Sequence, residues 1–206
     1  MKTTPREVLG DRFFDLLEAS AEEAGQSVRL LTALVKTGSE SADSLAAVRR
    51  KGEQITNEIN ATLAKTIMAS LHLDDIQGLS RALRIIPDRV GTFAVRFILA
   101  RQRLAEADFS PLVDLLETAM ENTVVMVHQL RAFSNLESTL QLHARLQDLL
   151  DGAETLLDRT VEDLFRRPDD ALRVVIVKDL CDQAQSIIDA CRDTGSLVYQ
   201  GVLKYV

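Results

Sequence analysis

The strongest constraint on this chain is that it repeats itself. Asp15-Leu16-Leu17-Glu18 returns as Asp114-Leu115-Leu116-Glu117, about 100 residues later. Two further matches keep the same order: Gly52-Glu53-Gln54-Ile55 with Ala153-Glu154-Thr155-Leu156, and Ile76, Leu79, Leu83 and Asp88 with Val177, Leu180, Ala184 and Asp189. Ordered echoes of this kind mark a duplicated unit, and a unit of about 100 residues is an ordinary size for a small fold. Whatever this chain folds into is built twice from the same elements.

Those elements are helices. Aromatic residues make up 4% of the chain and Trp is absent, a composition of long helices rather than sheets. Leu17, Ala21, Ala24, Val28, Leu31 and Val35 recur at steps of three and four, which predicts a helix from Asp11 or Arg12 to about Lys36. Thr37-Gly38-Ser39 stops it, with Gly38 as a left-handed cap. A second helix over 41–70 has Leu45, Val48, Gly52, Ile55 and Ile59 on its seam, and Gly52 is expected to admit a close neighbour. After a break at His72 to Asp75, a third helix runs to about Arg103, with Asp74 and Asp75 at its positive end. Pro87 is expected to kink it, since proline cannot donate to the Leu83 carbonyl.

The second copy starts with Ser110 as N-cap and Pro111 at the first helical position. It turns near Ser134-Asn135, ends a fifth helix near Arg166, and opens a sixth at Pro168 with Asp169 and Asp170 in its first turn. The expectation is an all-α fold of six long helices forming two pseudo-symmetric antiparallel three-helix bundles. No linker separates them, so a single domain is expected, with repeats over about 11–103 and 109–205 and residues 1–10 flexible.

Charge narrows the function. A net charge of -7 argues against a general nucleic-acid binder, which needs surplus Lys and Arg for phosphates. The charge is unevenly placed: residues 1–103 carry 15 basic and 13 acidic side chains, net +2, leaving 9 and 18, net -9, for the remainder. No apolar run approaches the ~20 residues of a membrane span and the first ten residues lack a secretory core, so a cytoplasmic location without membrane insertion is expected. Cys181 and Cys191 lie ten residues apart on one predicted helix, about 15 Å along its axis and too far to bridge, so both should be free thiols. Cys191 falls on the apolar stripe, where it serves as a small hydrophobe.

No catalytic signature emerges. A di-iron carboxylate bundle needs Glu three residues before His, and Ala69, Val125 and Leu140 stand there instead. His128 and His143 fit helix-surface or satisfied core histidines, and there is no phosphate loop, Cys-x-x-Cys or nucleophile elbow, so no enzyme is expected. The polar positions superposed by the repeat are Glu53 with Glu154 and Asp88 with Asp189. One carboxylate from each of two facing helices is the minimal start of a hard-metal site, but spacing alone favours solvated charges or interhelical salt bridges.

Phe13-Phe14-Asp15-Leu16-Leu17-Glu18, the stretch Glu53 to Ile59, the Asp74-Asp75-Ile76 start and the C-terminal Val202-Leu203-Lys204-Tyr205 resemble the PhoU-like phosphate transport regulators, in the branch that accompanies Pit-type transporters. The resemblance implies two three-helix bundles, a cytoplasmic protein, a dimeric tendency and a non-enzymatic role in controlling inorganic phosphate uptake. Its implied partner is a phosphate transporter or its regulatory proteins at the cytoplasmic face of the inner membrane. The alternative is a helical scaffold or adaptor unrelated to phosphate.

Members of that family bind metal clusters through acidic residues on the second and third helices of each repeat. Here the third-helix motif runs from Arg84 to Asp88 and from Gln185 to Asp189, and only Glu53, Asp88, Glu154 and Asp189 keep carboxylates in register. The metal motif is degraded by this comparison. In the first repeat Arg84 is expected to neutralise Glu53 and Asp88, while Arg49, Lys51 and Arg84 are candidates for capturing an anion. The second repeat has Asp151, Glu154, Asp182 and Asp189 with no matching arginine, which leaves it as the place for a weak divalent or iron-type ion; no other cofactor is expected. Leu16, Leu30, Leu34, Val125 and Val174 lie off the main seams and belong to a broader core or to a homodimer face.

Overall fold

The computed structural model describes residues 5–38, 42–65, 72–104, 107–131, 136–166 and 171–205. Six α-helices hold nearly all of them: α1 Pro5–Thr37, α2 Ala42–Lys65, α3 His72–Ala100, α4 Ser110–Gln129, α5 Leu136–Arg166 and α6 Ala171–Tyr205, with a short 3-10 turn at Arg101–Arg103 after α3. No strand occurs among the described residues. The fold is all-α, as the periodicity predicts.

Helices α1, α2 and α3 pack on one another, and so do α4, α5 and α6. The two bundles join through like elements, α1 against α4 and α3 against α6. Ion pairs give the direction of each junction. Lys36 near the end of α1 meets Asp114 near the start of α4, while Arg131 just beyond α4 meets Asp15 and Glu18 near the start of α1. Arg96 and Asp179 at the late end of α3 and early end of α6 lie 2.5 Å apart, and Lys204 and Asp75 at the opposite ends 2.6 Å apart. Equivalent helices therefore pair antiparallel, which is the relationship a pseudo-twofold axis between two copies produces.

One continuous core runs through both bundles. Ala21, Ala24, Val28 and Leu31 of the first seam are fully buried, and Val113, Leu116 and Ala119 meet them from α4. Each fully buried large apolar side chain is worth about 1.5–3 kcal/mol in transfer terms, and the chain buries many. Small residues in the α1 seam let α4 approach closely enough for buried Thr32 to donate to Val113 O at 3.4 Å as well as to Val28 O at 3.1 Å. Phe93, Phe97 and Phe109 form an aromatic cluster with ring centroids 5.7 to 6.3 Å apart, plugging the end where α3 finishes and α4 starts.

Several boundaries differ from the sequence pattern. The first helix begins at Pro5, ahead of Asp11, so residues 5–10 are helical rather than outside the repeat. The break placed at His72 to Asp75 is the first turn of α3, with Asp74 and Asp75 inside it. Pro87 lies within α3, which continues as helix to Ala100. Ser110 is the first residue of α4 and not its cap; its amide donates to Asp108 Oδ1 at 2.9 Å, and this contact with Ser110 holds the Asp108 carboxyl below the usual range. Gly38 takes the left-handed conformation, φ 65°, and its amide donates to Leu34 O at 3.0 Å, as a helix-ending glycine does. The expected features at Ser39, Ser134-Asn135 and Pro168 to Asp170 lie outside the described residues.

Gly52 does not serve a close approach. A Cβ built on it meets nothing within 4 Å, whereas one on Gly195 would collide with the Leu146 side chain. The tight α5–α6 crossing is at Gly195. Of the off-seam apolar residues, Leu34 is buried and Leu16 and Leu30 pack against the core, while Val125 is exposed. The broader core absorbs most of them.

Candidate functional site

The groove between α5 and α6 gathers the most polar side chains that contact one another. Glu154 sits two turns before Val161 on α5, and Arg192 lies on α6 two turns beyond Gln185, so all three project into the same groove. Arg192 uses its whole guanidinium there. Nη1 donates to Glu154 Oε1 at 2.7 Å, Nη2 to Asp151 Oδ1 at 3.0 Å and Nε to Gln147 Oε1 at 3.2 Å. Gln185 Nε2 donates to the same Glu154 oxygen at 2.8 Å and to Asp189 Oδ1 at 3.0 Å. The Arg192 guanidinium, then the Gln185 amide, hold the Glu154 carboxyl below its ordinary value, and Glu154 in turn raises Arg192.

The network extends to an imidazole. Gln147 Nε2 lies 3.4 Å from His143 Nε2, and the His143 ring stacks on Tyr199 with centroids 4.5 Å apart. Because the Gln147 carbonyl is committed to Arg192, its NH₂ faces His143; that nitrogen can only donate, so His143 Nε2 accepts and its proton is on Nδ1. Burial lowers the His143 pKa, which agrees with a neutral ring.

This arrangement corrects the expectation for the second repeat. Asp151 and Glu154 do have a matching arginine, Arg192, which the sequence comparison missed. The signal was available: Arg192 follows Asp189 by three residues and Gln185 by seven, one and two helical turns, and so shares their face. Asp182 is outside the network, paired with Lys178 on its own helix. Among the described residues no three His, Cys, Asp or Glu side chains are grouped as a metal ion requires.

In the first repeat, Arg84 Nη1 donates to Asp88 Oδ2 at 2.7 Å, as the i to i+4 spacing predicts. Its counterpart Gln185 makes the same i to i+4 bond to Asp189, so the repeat conserves the geometry while exchanging a cation for an amide. Glu53 does not join Arg84: it is exposed and has no bonded partner among the described residues. The three proposed anion-binding cations are not engaged together. Lys51 pairs with Glu23 on α1, Arg84 with Asp88, and Arg49 is exposed. Gly91 occupies the position of Arg192, which explains why the first repeat has no equivalent clamp.

The cysteines are both free and buried. Burial pushes Cys181 up to about 11 and Cys191 up to about 12, which makes them inert packing residues near neutral pH. His128 is on the surface, its ring nitrogens 3.6 Å from Glu18 and 3.3 Å from Glu22 across the α1–α4 junction.

Two antiparallel three-helix bundles joined about a pseudo-twofold, the second of them with a polar groove between its second and third helices, define the class of protein. Its structural counterparts are PhoU-like. A PhoU-like protein from Shewanella oneidensis MR-1 superposes with a TM-score of 0.75 at 14% identity, covering 93% of this chain and 99% of its own. A second protein of that strain, described as a PhoU-like phosphate regulatory protein, gives 0.70 at 16% identity with the same coverage. At these identities the likeness is one of fold: the chain has a PhoU-like fold. No protein-family model matches the sequence, and no curated protein matches it.

Proposed function

We propose that this chain is a regulatory or accessory protein of inorganic phosphate transport, in the branch that accompanies Pit-type transporters, acting without catalysis through contacts of its helix faces. The observation that carries this is the length of the structural match: the whole double bundle superposes on a protein described as a phosphate regulator, with almost nothing left over in either chain. The partner is a phosphate transporter or its regulatory proteins at the cytoplasmic face of the membrane, and no helix among the described residues is long and apolar enough to cross it.

Where the family places metal, this chain has internal cations: Arg192 in the second repeat and Arg84 in the first. We propose that these groups replace the metal, so that the chain regulates as a permanently assembled bundle. A fixed guanidinium offsets the repulsion between Asp151 and Glu154 that an ion offsets elsewhere. The same observation favours the alternative of a helical adaptor unrelated to phosphate, since it removes the family's metal chemistry.

Orthophosphate uptake separates the two. Cells lacking the chain should show altered uptake that the wild-type chain restores, and the chain should copurify with a phosphate permease from native membranes. Unchanged uptake over low and high external phosphate, with no permease recovered, would leave the adaptor reading.

A further inference from the structure

The two repeats fill the same groove differently. In the second, the Arg192 guanidinium reaches across from α6 and meets Asp151 at 3.0 Å and Glu154 at 2.7 Å. The offset that superposes Glu53 on Glu154 and Asp88 on Asp189 also puts Arg50 in the place of Asp151, Arg84 in that of Gln185 and Gly91 in that of Arg192. Positions from which two carboxylates reach one guanidinium thus carry Arg50 and Glu53 between α2 and α3, and the place of the guanidinium itself is vacated. A Cβ built on Gly91 meets nothing within 4 Å. The groove is also more open: Leu150 is fully buried while its counterpart Arg49 is exposed, and a Cβ on buried Gly52, which stands where the other repeat has Ala153, meets nothing within 4 Å.

Charge reverses with the filling. The second groove sets one cation, Arg192, against the carboxylates Asp151, Glu154 and Asp189; the first sets Arg49, Arg50 and Arg84 against Glu53 and Asp88. Asp88 is already compensated by Arg84 Nη1 at 2.7 Å, which leaves the Nε and Nη2 hydrogens of that guanidinium for another acceptor. Arg49, Arg50 and Glu53 are exposed and have no bonded partner among the described residues. Arg81 and Arg89, exposed on the same helix as Arg84, have none either and add to the local positive potential. Guanidinium forks around an open slot suit the oxygens of a tetrahedral oxyanion.

The remaining carboxylate decides which oxyanion. Glu53 repels one that is fully deprotonated and accepts a hydrogen bond from one that keeps a proton. Inorganic phosphate keeps a proton near neutral pH and sulfate does not. We propose that the α2–α3 groove of the first repeat binds inorganic phosphate, its oxygens held by Arg49, Arg50 and Arg84 and its P–OH donating to Glu53. The site stands on the groove; phosphate as its ligand in the cell rests on the transport reading above.

Isothermal titration of the purified chain with sodium phosphate, sulfate or methyl phosphate at matched ionic strength tests this at about pH 8, where a phosphomonoester with a second pKa of about 6 has lost its proton and phosphate has not. Phosphate should bind saturably, and sulfate and methyl phosphate about tenfold more weakly for want of the bond to Glu53. Arg50→Ala and Arg84→Met should each weaken phosphate binding about tenfold, as the loss of a charge-assisted bond does. Gly91→Met puts an uncharged stem in the slot and should abolish binding with every cation still present and helical circular dichroism retained. Glu53→Gln offers an amide donor and should bring sulfate up to phosphate. No saturable heat with phosphate, equal wild-type binding of phosphate and sulfate, or binding untouched by Gly91→Met overturns the site. Tighter binding of methyl phosphate also overturns it, giving the groove to a phosphomonoester. Cellular uptake is read separately: uptake that depends on a chain unable to bind phosphate sinks this site and keeps the transport role, while binding without any effect on uptake keeps the site and sinks that role.

Discussion

Arg192 Nη1 lies 2.7 Å from Glu154 Oε1, and this bond organises the polar groove of the second repeat. It sets the orientation of Gln147, the ionisation of Glu154 and, through Gln147, the tautomer of His143. A single cation thus offsets the repulsion among the three carboxylates of this groove, Asp151, Glu154 and Asp189.

Arg192→Met keeps the stem and removes the charge. Both partners of the central bond are about one-third exposed or less, so the loss should be about 1–2 kcal/mol, read from urea unfolding midpoints. The freed Asp151, Glu154 and Asp189 should then accept a divalent cation: Mn²⁺ should raise the melting temperature of the variant and leave the wild type unchanged. The folded-state Glu154 pKa lies below its ordinary 4.5, so its stabilisation is full above that value and is lost as pH falls through the lowered one. Arg192→Met should abolish that acid-sensitive segment. A variant as stable as wild type and silent to Mn²⁺ would show that the guanidinium compensates nothing.

His143 gives a second pH dependence, in a different window. Its folded-state pKa is lowered from 6.5 by burial, so between that value and the lowered one the unfolded chain binds the extra proton. Its contribution to stability is unchanged above about pH 6.5 and falls as pH drops below it. His143→Phe, which keeps a ring against Tyr199, should flatten the stability profile in that window while Arg192→Met leaves the ring buried. A wild-type profile without a slope there, or one that His143→Phe does not change, would contradict the neutral-ring assignment.

Period and duplication in the sequence were sufficient for the architecture. Apolar steps of three and four identify every helix because each helix buries one face in a common core, and the repeat supplies the pairing of like with like. The site was harder, since spacing shows which residues share a helix face but not which opposing residue reaches them. Arg84 and Asp88 were legible because both lie on α3. Arg192 was missed because its partners Asp151 and Glu154 are on another helix, and Glu53 was assigned a partner it does not touch for the same reason. Register between helices is set by packing contacts such as Leu146 against Gly195, which no single-helix pattern encodes.

The glycines test that register directly. Gly195→Ala must push Leu146, a fully buried side chain, and should cost about 1–3 kcal/mol as an overpacked core does. Gly38→Ala is forced into a left-handed backbone against the Arg101 guanidinium and should cost about 1 kcal/mol. Gly52→Ala meets open space inside a helix and should stabilise by about 0.4–1 kcal/mol. Thermal melts of the three variants decide the order; a destabilising Gly52→Ala would restore the close-approach role to that position.

The junction between the repeats rests partly on charge, and salt exposes that share. Arg131 contacts Glu18 at 3.0 Å, Asp15, and Asp11 at 3.9 Å, and its guanidinium lies 5.8 Å from the Phe14 ring centroid. Those carboxylates hold its pKa above the ordinary value, Glu18 first and Asp15 next. The cluster is solvent-facing, so its electrostatic part must weaken as the Debye length shrinks from about 10 Å at 0.1 M to about 3 Å at 1 M salt. Arg131→Gln should lower the melting temperature at low salt, and the gap to wild type should narrow at about 1 M sodium chloride. Buried contacts such as Thr32 to Val113 are insensitive to screening and hold α1 on α4 in both conditions. A gap that stays constant with salt would assign Arg131 to packing on Phe14 and not to the carboxylates of α1.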